Sequence, residues 1–242
     1  MSKAFAFDHL PSQGAEPPKL AALRDAGKAA FGATGGLPGA RVEDFKYTPL
    51  RKLAEFTPRE PDAIGAFPKS VPDFPAIRLA LVNGVLDAAL SDLDALPDGV
   101  TVTAMADALK SGAILAKLGS ALPETGLPMA GLNAARFRNG VVLEIAPGAA
   151  IETPIHLISV TGAGAGIDPR HLVLVGENAE ITLAETHVSV GEGVTAINRV
   201  SEILLAPSAR LKHRVLFAEG ADVSHIATTG LHLAERATYH GV

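Results

Sequence analysis

Cysteine and tryptophan are absent from the 242-residue sequence, and aromatic residues make up only 5% of it. Without cysteine the chain can form no disulfide, offer no thiol nucleophile and supply no thiolate to a metal or an iron–sulfur cluster. The absence also fits a reducing compartment. Nine phenylalanines and two tyrosines are few for a surface that stacks nucleic-acid bases or sugars.

Basic residues are in the minority as well, because 21 Lys and Arg stand against 26 Asp and Glu and give a formal net charge of -5. A surplus of acid does not attract a phosphate backbone, so composition argues against nucleic-acid binding. No apolar run approaches the roughly 20 residues that a membrane helix needs. The start, MSKAFAFDHLPSQG, lacks the pattern of a secretory signal. We therefore expect a cytoplasmic protein outside the membrane.

Helix and strand signals are mixed over the first 125 residues, which we interpret as an N-terminal α/β region. A proline- and glycine-containing stretch, LPETGLPMAG, separates them from residues 126–242. The patterns predict a helix from Pro17 to about Gly35, a hairpin turning at Asn83-Gly84, a strand over Val100–Thr103 and a helix from about Met105 to Leu118. Between the first helix and the hairpin, TPREPDAIGAFPKSVPDFP predicts a crossing with little regular structure.

An internal repeat dominates residues 126–242. Each unit holds an alternating apolar strand, a small residue, a polar or proline-containing turn, and then an alanine followed by another strand. The anchoring alanines are Ala149, Ala179, Ala209 and Ala237, separated by 30, 30 and 28 residues. Units with a period of two and no helical face bury their apolar residues by stacking. The repeat therefore predicts a right-handed parallel β-helix, with alanine at a crowded corner.

A β-sandwich is the alternative architecture, although it would not demand so regular a spacing. The sequence ends at RATYHGV, in the middle of a predicted strand. Since a terminal coil without a cap exposes its strand edges, we expect the native protein to continue, or a partner to cover this end.

Histidines and carboxylates recur within the repeats. Glu185, His187, Glu202 and His213 form the one group that could be considered for a metal, because such a site needs imidazoles and a carboxylate that converge. Solvent-facing or hydrogen-bonded strand histidines are the plainer interpretation. The same region carries acids that a β-helix polysaccharide lyase or hydrolase would align along a groove. These acids are Glu144, Glu152, Glu180, Glu185 and Glu202, and solvated strand positions are their plainer interpretation.

A glycine-rich stretch, TGAGAGID, resembles a nucleotide-binding loop only superficially. Its third glycine, Gly166, comes one residue too early for the dinucleotide fingerprint, and a predicted strand rather than a helix follows it. We interpret the stretch as a turn between coils.

The segment RVEDFKYTPLRKL, from Arg41 to Leu53, has a mixed composition that the repeat does not explain. Its spacing is typical of an amphipathic turn held to the core by Phe45 and Leu50. The same segment resembles the signature E-x-W-[KR]-Y-T-x-L found near the start of SufD, the scaffold subunit of the Suf iron–sulfur assembly system. The matching residues are Glu43, Lys46, Tyr47, Thr48 and Leu50, with Phe45 in place of tryptophan.

Further stretches resemble the same family in the same order, among them LNAARFRNGVVLEIAPGAAIETPIHLISV and RHLVLVGENAEITLAETHV. The resemblance implies a non-catalytic scaffold that pairs with its paralogue SufB through the β-helices and binds a SufC ATPase through a C-terminal region. It implies no cofactor on this chain alone, because the assembled complex handles the iron–sulfur cluster. The chain lacks the cysteines of SufB, so SufD is the better match.

The family signature carries only a structural expectation. Glu43, Phe45, Lys46, Tyr47, Thr48 and Leu50 are expected to dock the N-terminal region, and the sites for SufB and SufC are expected beyond Val242. A carbohydrate-active β-helix enzyme and a free-standing structural solenoid remain as alternative functions.

Overall fold

A computed structural model describes residues 16–48, 50, 53, 56–122 and 126–242 of the chain. The α-helices with defined bounds are α1 (Pro18–Gly32), α2 (Met105–Ser111) and α3 (Pro128–Arg136). Its strands are β1 (Ile77–Val82), β2 (Val85–Asp87), β3 (Val100–Ala104), β4 (Val141–Ile145), β5 (Ile155–Gly162), β6 (Gly166–Ile167), β7 (Arg170–Val175), β8 (Glu180–Val190), β9 (Thr195–Leu205), β10 (Arg210–Ala218), β11 (Val223–Leu233) and β12 (Thr238–Gly241). In this part of the chain no helix has the length and apolar character needed to cross a membrane.

The strands form two sheets, with the orders β12-β10-β8-β5-β1-β2 and β11-β9-β7-β4-β3. From β4 onward the long strands alternate between the sheets, and each pairs in parallel with the equivalent strand of the next coil. Their inward apolar side chains form one core that both sheets share. The chain is thus a parallel β-solenoid of about three turns, which confirms the predicted fold class.

The alanine corners repeat one backbone conformation. The residue before each anchoring alanine has a positive φ, at Gly148 (74°), Asn178 (58°), Ser208 (59°) and Arg236 (58°). Backbone bonds link successive corners, as from the Asn178 amide to the Pro207 carbonyl at 3.1 Å. Ala179 and Ala209 are fully buried within the shared core. A larger side chain at these alanines would meet the neighbouring coils, as the repeat predicted.

Strands from the N-terminal part of the chain extend both sheets. β1 pairs in parallel with β5, and β3 pairs antiparallel with β4. The predicted hairpin joins β1 to β2 through Asn83 and Gly84, whose φ values of 49° and 81° match a type I′ turn. The strand predicted over Val100–Thr103 is also confirmed. The domain boundary at residues 125 and 126 stays a prediction.

Two helix predictions need correction. The helix from Met105 ends at Ser111 rather than Leu118, because Gly112 takes the left-handed conformation (φ 74°) that closes the helix. The stretch interpreted as a linker leads into helix α3, which packs against α1. Gly27 and Gly131 allow this close crossing, since a Cβ on Gly27 would lie 2.6 Å from the Gly131 carbonyl oxygen.

The proline-rich segment before β1 crosses the outer surface of the β5–β8 sheet without regular structure, as predicted. Ile64, Phe67 and Val71 pack there against an apolar cluster built around Ile158. The segment also explains why the turn TGAGAGID needs glycine at position 162, because a Cβ on Gly162 would lie 2.5 Å from the Asp62 carbonyl oxygen. Gly162 thus makes room for the neighbouring backbone at Asp62.

Candidate functional site

The interior of the solenoid changes from apolar to polar along its strands. On β8, Ile181 and Leu183 belong to the shared apolar core, and the next inward residues are Glu185 and His187. On β9 the same alternation places Arg199 and Ser201 in phase with the core residue Ile203. The resulting group is defined as the interior polar cluster. It consists of His171, Glu185, His187, Arg199, Ser201, His213 and His225.

Glu185 is the centre of this interior polar cluster. Arg199 Nη1 donates to Oε2 of Glu185 at 3.0 Å, and the Nε2 atoms of His187 and His213 lie 3.2 and 3.0 Å from its two oxygens. Burial alone would raise the pKa of Glu185, but the Arg199 guanidinium and the two histidine hydrogen bonds outweigh it and hold that pKa well below its ordinary value. Glu185 is therefore a carboxylate, and both imidazoles donate to it.

Further contacts continue the network from Glu185. Arg199 Nη1 also donates to Ser201 Oγ at 2.6 Å, and His213 Nδ1 forms a 2.9 Å hydrogen bond with the Tyr239 hydroxyl. The ring of His187 stacks on Phe217, with centroids 5.0 Å apart. The cluster therefore links side chains from three consecutive coils.

His171 lies at the other side of the interior polar cluster. Its Nδ1 accepts the Val141 amide at 3.2 Å, and burial lowers its pKa to about 3. The ring is thus neutral, and its proton sits on Nε2. That atom and Nε of Arg199 are buried without a hydrogen-bond partner among the described residues.

The geometry of the cluster is that of an ion pair rather than a ligand set. The structure brings together Glu185, His187 and His213, as the metal hypothesis required, but Glu202 lies on the opposite face of its strand. Because both Nε2 atoms donate to the carboxylate, neither offers a lone pair to a cation there. Among the described residues, no group of three or more His, Asp or Glu side chains is placed to hold a metal ion.

Glu202 belongs to a second buried network on the outer face of β9. Arg170 Nη2 donates to its Oε1 at 2.6 Å, and the amides of Gly119 and Ala121 donate to its two oxygens at 2.9 and 3.2 Å. Arg170 Nη1 donates to Asn133 Oδ1 on α3 at 3.1 Å. The side chains of Arg170 and Glu202 are 2% and 0% exposed. This network fastens α3 and the loop at 119–121 to the solenoid.

The buried positions of these acids bear on the carbohydrate hypothesis. Glu185 lies inside the solenoid and Glu202 lies under α3 and the loop, so neither carboxylate can reach a polysaccharide. Glu144 and Glu152 are exposed and Glu180 is half-buried. The acids therefore do not line one accessible groove.

The signature segment lies beside the two packed helices. Glu43–Phe45 form a 3-10 helical turn, and Phe45 and Leu50 are half-buried against a cluster formed by Phe31, Met129 and Leu132. Glu43, Lys46 and Thr48 are exposed, and Tyr47 is 86% exposed. An anchoring role of the segment stays a prediction, and its apolar contacts come from Phe45 and Leu50.

Sequence reasoning missed the arginines that complete both networks, Arg199 and Arg170. A signal existed for Arg199, because its position in TAINRVSEILL shares the phase of Ile203 and Leu205. Arg170 gave no such signal. Its partner Glu202 has the outward phase of a solvent-facing strand residue, and only the covering loop and α3 bury it.

Comparison with known proteins identifies the family. The model described as the SufBD protein N-terminal region matches residues 12–157, and the SufBD core domain of SUF system FeS cluster assembly matches residues 158–242. The chain belongs to the SufB/SufD family. An iron–sulfur cluster assembly SufBD family protein of Synechocystis sp. is 27% identical over 220 residues, covering 84% of this chain and 49% of that relative. The chain thus spans about half the length of this relative.

Within this SufB/SufD family member, the core-domain match begins inside β5 and contains the whole interior polar cluster. The N-terminal match contains α1, the signature segment, the crossing segment and α3. The Arg170–Glu202 network joins the two matched regions, since Gly119 and Asn133 lie in the first, and Arg170 and Glu202 lie in the second.

Proposed function

We propose that this chain acts in iron–sulfur cluster assembly as a SufD-like scaffold, without catalysing a reaction itself. The observation that carries the proposal is the match of both SufBD regions, in order, over residues 12–242. The lack of cysteine supports SufD rather than SufB, because a chain that supplies thiolates to a nascent cluster needs that residue.

The buried chemistry supports a scaffold over an enzyme. The two buried groups of ionisable side chains, around Glu185 and Glu202, form ion pairs within the protein and are closed to a substrate. A rigid parallel solenoid is suited to presenting a fixed surface. In this proposal the chain holds partners in a cytoplasmic complex, and the iron–sulfur cluster is cargo of the assembled complex rather than a resident cofactor of this chain.

The proposed partners are a SufB-like paralogue and a SufC-like ATPase. Because the partner sites are expected beyond Val242, the test is co-expression with both proteins of the tagged natural protein that contains these 242 residues, followed by affinity purification and size-exclusion chromatography. A stable complex that contains the paralogue supports the proposal. Absence of both partners, with the chain still folded by circular dichroism, would leave a free-standing structural solenoid.

Cluster formation on the purified complex separates a scaffold from an enzyme. Iron and sulfide incorporation is followed by visible absorbance at increasing amounts of the chain. If the chain is a scaffold, the amount of cluster formed rises until one chain is present per complex and then stays constant. If the chain is a catalyst, the full amount of cluster forms with far less than one chain per complex. Polysaccharide cleavage by the chain alone would contradict the proposal.

A further inference from the structure

A stripe of three cations runs along the outer face of β10. Leu211 and His213 point into the solenoid and are buried, so Arg210, Lys212 and Arg214 point outward, and all three are exposed. Alternate residues of a strand are about 6.6 Å apart. The cations therefore form a straight row with that spacing, which we call the β10 stripe.

The surroundings of the β10 stripe contribute little negative charge. The residues paired with it in register are Glu180, Thr182 and Ala184 on β8, and Thr238 and His240 on β12. Glu180 is the single acid in that set, and its carboxylate lies 3.8 Å from Arg210 Nη1 and 3.4 Å from Lys212 Nζ. Such long, exposed contacts are weak, so the stripe keeps a surplus of positive charge on a chain whose net charge is -5.

The end of the stripe is fixed and leads to an apolar position. Arg214 Nη1 donates to the backbone carbonyls of His213 and His240 at 3.2 and 3.4 Å, which holds the guanidinium across the sheet. The next outward residue, Leu216, is 43% exposed. A partner that follows the strand would thus meet three cations and then an apolar side chain.

We propose that the β10 stripe binds an acidic protein segment in extended conformation, with carboxylates at alternate residues and an apolar residue at one end. Such a segment repeats its side chains at the same spacing as the stripe, so each carboxylate meets one cation. Arginine also binds a carboxylate through two parallel hydrogen bonds. The match of spacing and charge specifies the occupant more closely than exposure alone would.

A nucleic acid fits this surface less well than a protein segment. The remainder of the chain is acidic and repels a long polyanion. The stripe and its register partners also include no Phe, Tyr or Trp side chain on which a base could stack. A short acidic segment contacts only the stripe and avoids both difficulties.

The test measures fluorescence anisotropy of a labelled peptide, Glu-Thr-Glu-Thr-Glu-Thr-Leu, with the 242-residue chain at low salt. A peptide with glutamine in place of glutamate is the ligand control. The double variant R210E/K212E is compared with K28E/K110E, which makes the same change in net charge. Lys28 and Lys110 are exposed lysines on α1 and α2, each beside one aspartate.

We expect R210E/K212E to weaken peptide binding by about tenfold or more, because attraction becomes repulsion at two of three positions. K28E/K110E is expected to change affinity by about twofold at most, since distant exposed charges are screened. Glu180→Gln should tighten binding, because it removes the acid that competes for the stripe.

Three results would overturn the inference: no binding of the acidic peptide, equal losses in the two double variants, or tighter binding of a single-stranded oligonucleotide than of the peptide. Circular dichroism and thermal melting of each variant establish that it is folded. The measurement uses the chain alone, so its outcome is independent of any role in cluster assembly.

Discussion

Replacing Glu202 by glutamine should be among the most damaging conservative changes in the chain. The substitution keeps the shape of the side chain but removes its charge from beside Arg170, whose side chain is 2% exposed. It also turns an amide NH2 group toward the backbone N–H donors of Gly119 or Ala121, which now bond to the two carboxylate oxygens. One buried cation then lacks its counter-ion, and one backbone donor lacks its acceptor.

The expected loss follows from these two contacts. Removing one partner of a buried ion pair costs about 3–5 kcal/mol, because the other charge stays buried without compensation. A buried donor left without an acceptor costs about 1–3 kcal/mol, part of which is already included in the first figure. We expect a decrease of about 3–5 kcal/mol in the free energy of unfolding, out of a total of about 5–15 kcal/mol for a typical domain.

Urea unfolding followed by circular dichroism measures this loss. Glu180→Gln is the matched control, since its ion pairs are exposed and long, and it should change stability by about 1 kcal/mol at most. The double variant R170M/E202L should be less unstable than the sum of its two single variants, because it leaves no buried charge without a partner, although the Gly119 and Ala121 amides still lack an acceptor. A loss below about 1 kcal/mol for Glu202→Gln, or a double variant as unstable as the sum of its parts, would refute this account of the network.

Other predictions concern pH and the corners. Burial holds His156 and His171 neutral and lowers their pKa values from 6.5 to about 4 and about 3. As pH falls below 6.5, these histidines take up protons in the unfolded chain but not in the folded one. The free energy of unfolding should therefore decrease, by up to about 1.4 kcal/mol per pH unit for each histidine. A urea midpoint independent of pH between 6.5 and 4 would contradict this. Ser208→Gly should raise the melting temperature, because serine at φ 59° carries a left-handed strain of about 1 kcal/mol; an unchanged or lower value would show otherwise. Ala209→Leu should cost about 1–3 kcal/mol in the same unfolding assay, since that corner is fully buried, and a neutral result would mean that the coils can separate there.

The repeat made most of the solenoid predictable. Strand periodicity and the spacing of the alanines are local signals that each coil repeats. An ambiguous pattern in one coil can therefore be interpreted from the equivalent residues of the others. The Asn83-Gly84 hairpin was predictable for a similar reason, because a type I′ turn demands positive φ at two adjacent residues. These features depend on neighbours in sequence.

Helix α3 was missed because its signals are not local. Pro128 and Gly131 are usual in a linker, yet the proline sits in the first turn of the helix and the glycine serves the crossing with α1. The glycine is needed because of Gly27, more than a hundred residues away in the sequence. No window around residue 131 contains that information, so composition alone favours a loop.

The candidate site shows the same division between local and distant signals within one strand. Arg199 and Glu202 lie on opposite faces of β9, and each is paired with a buried opposite charge, Glu185 inside and Arg170 outside. A slip of β9 by one residue would exchange these faces. Glu202 would then point inward toward Glu185, and Arg199 would point outward toward Arg170, so both faces would bring like charges together in a buried setting. Buried ion pairs contribute little net stability but penalise wrong pairings heavily. The two networks therefore fix the register of β9 against the coil before it. The inward position of Arg199 can be predicted from the repeat, whereas the burial of Glu202 depends on the helix and loop that cover it.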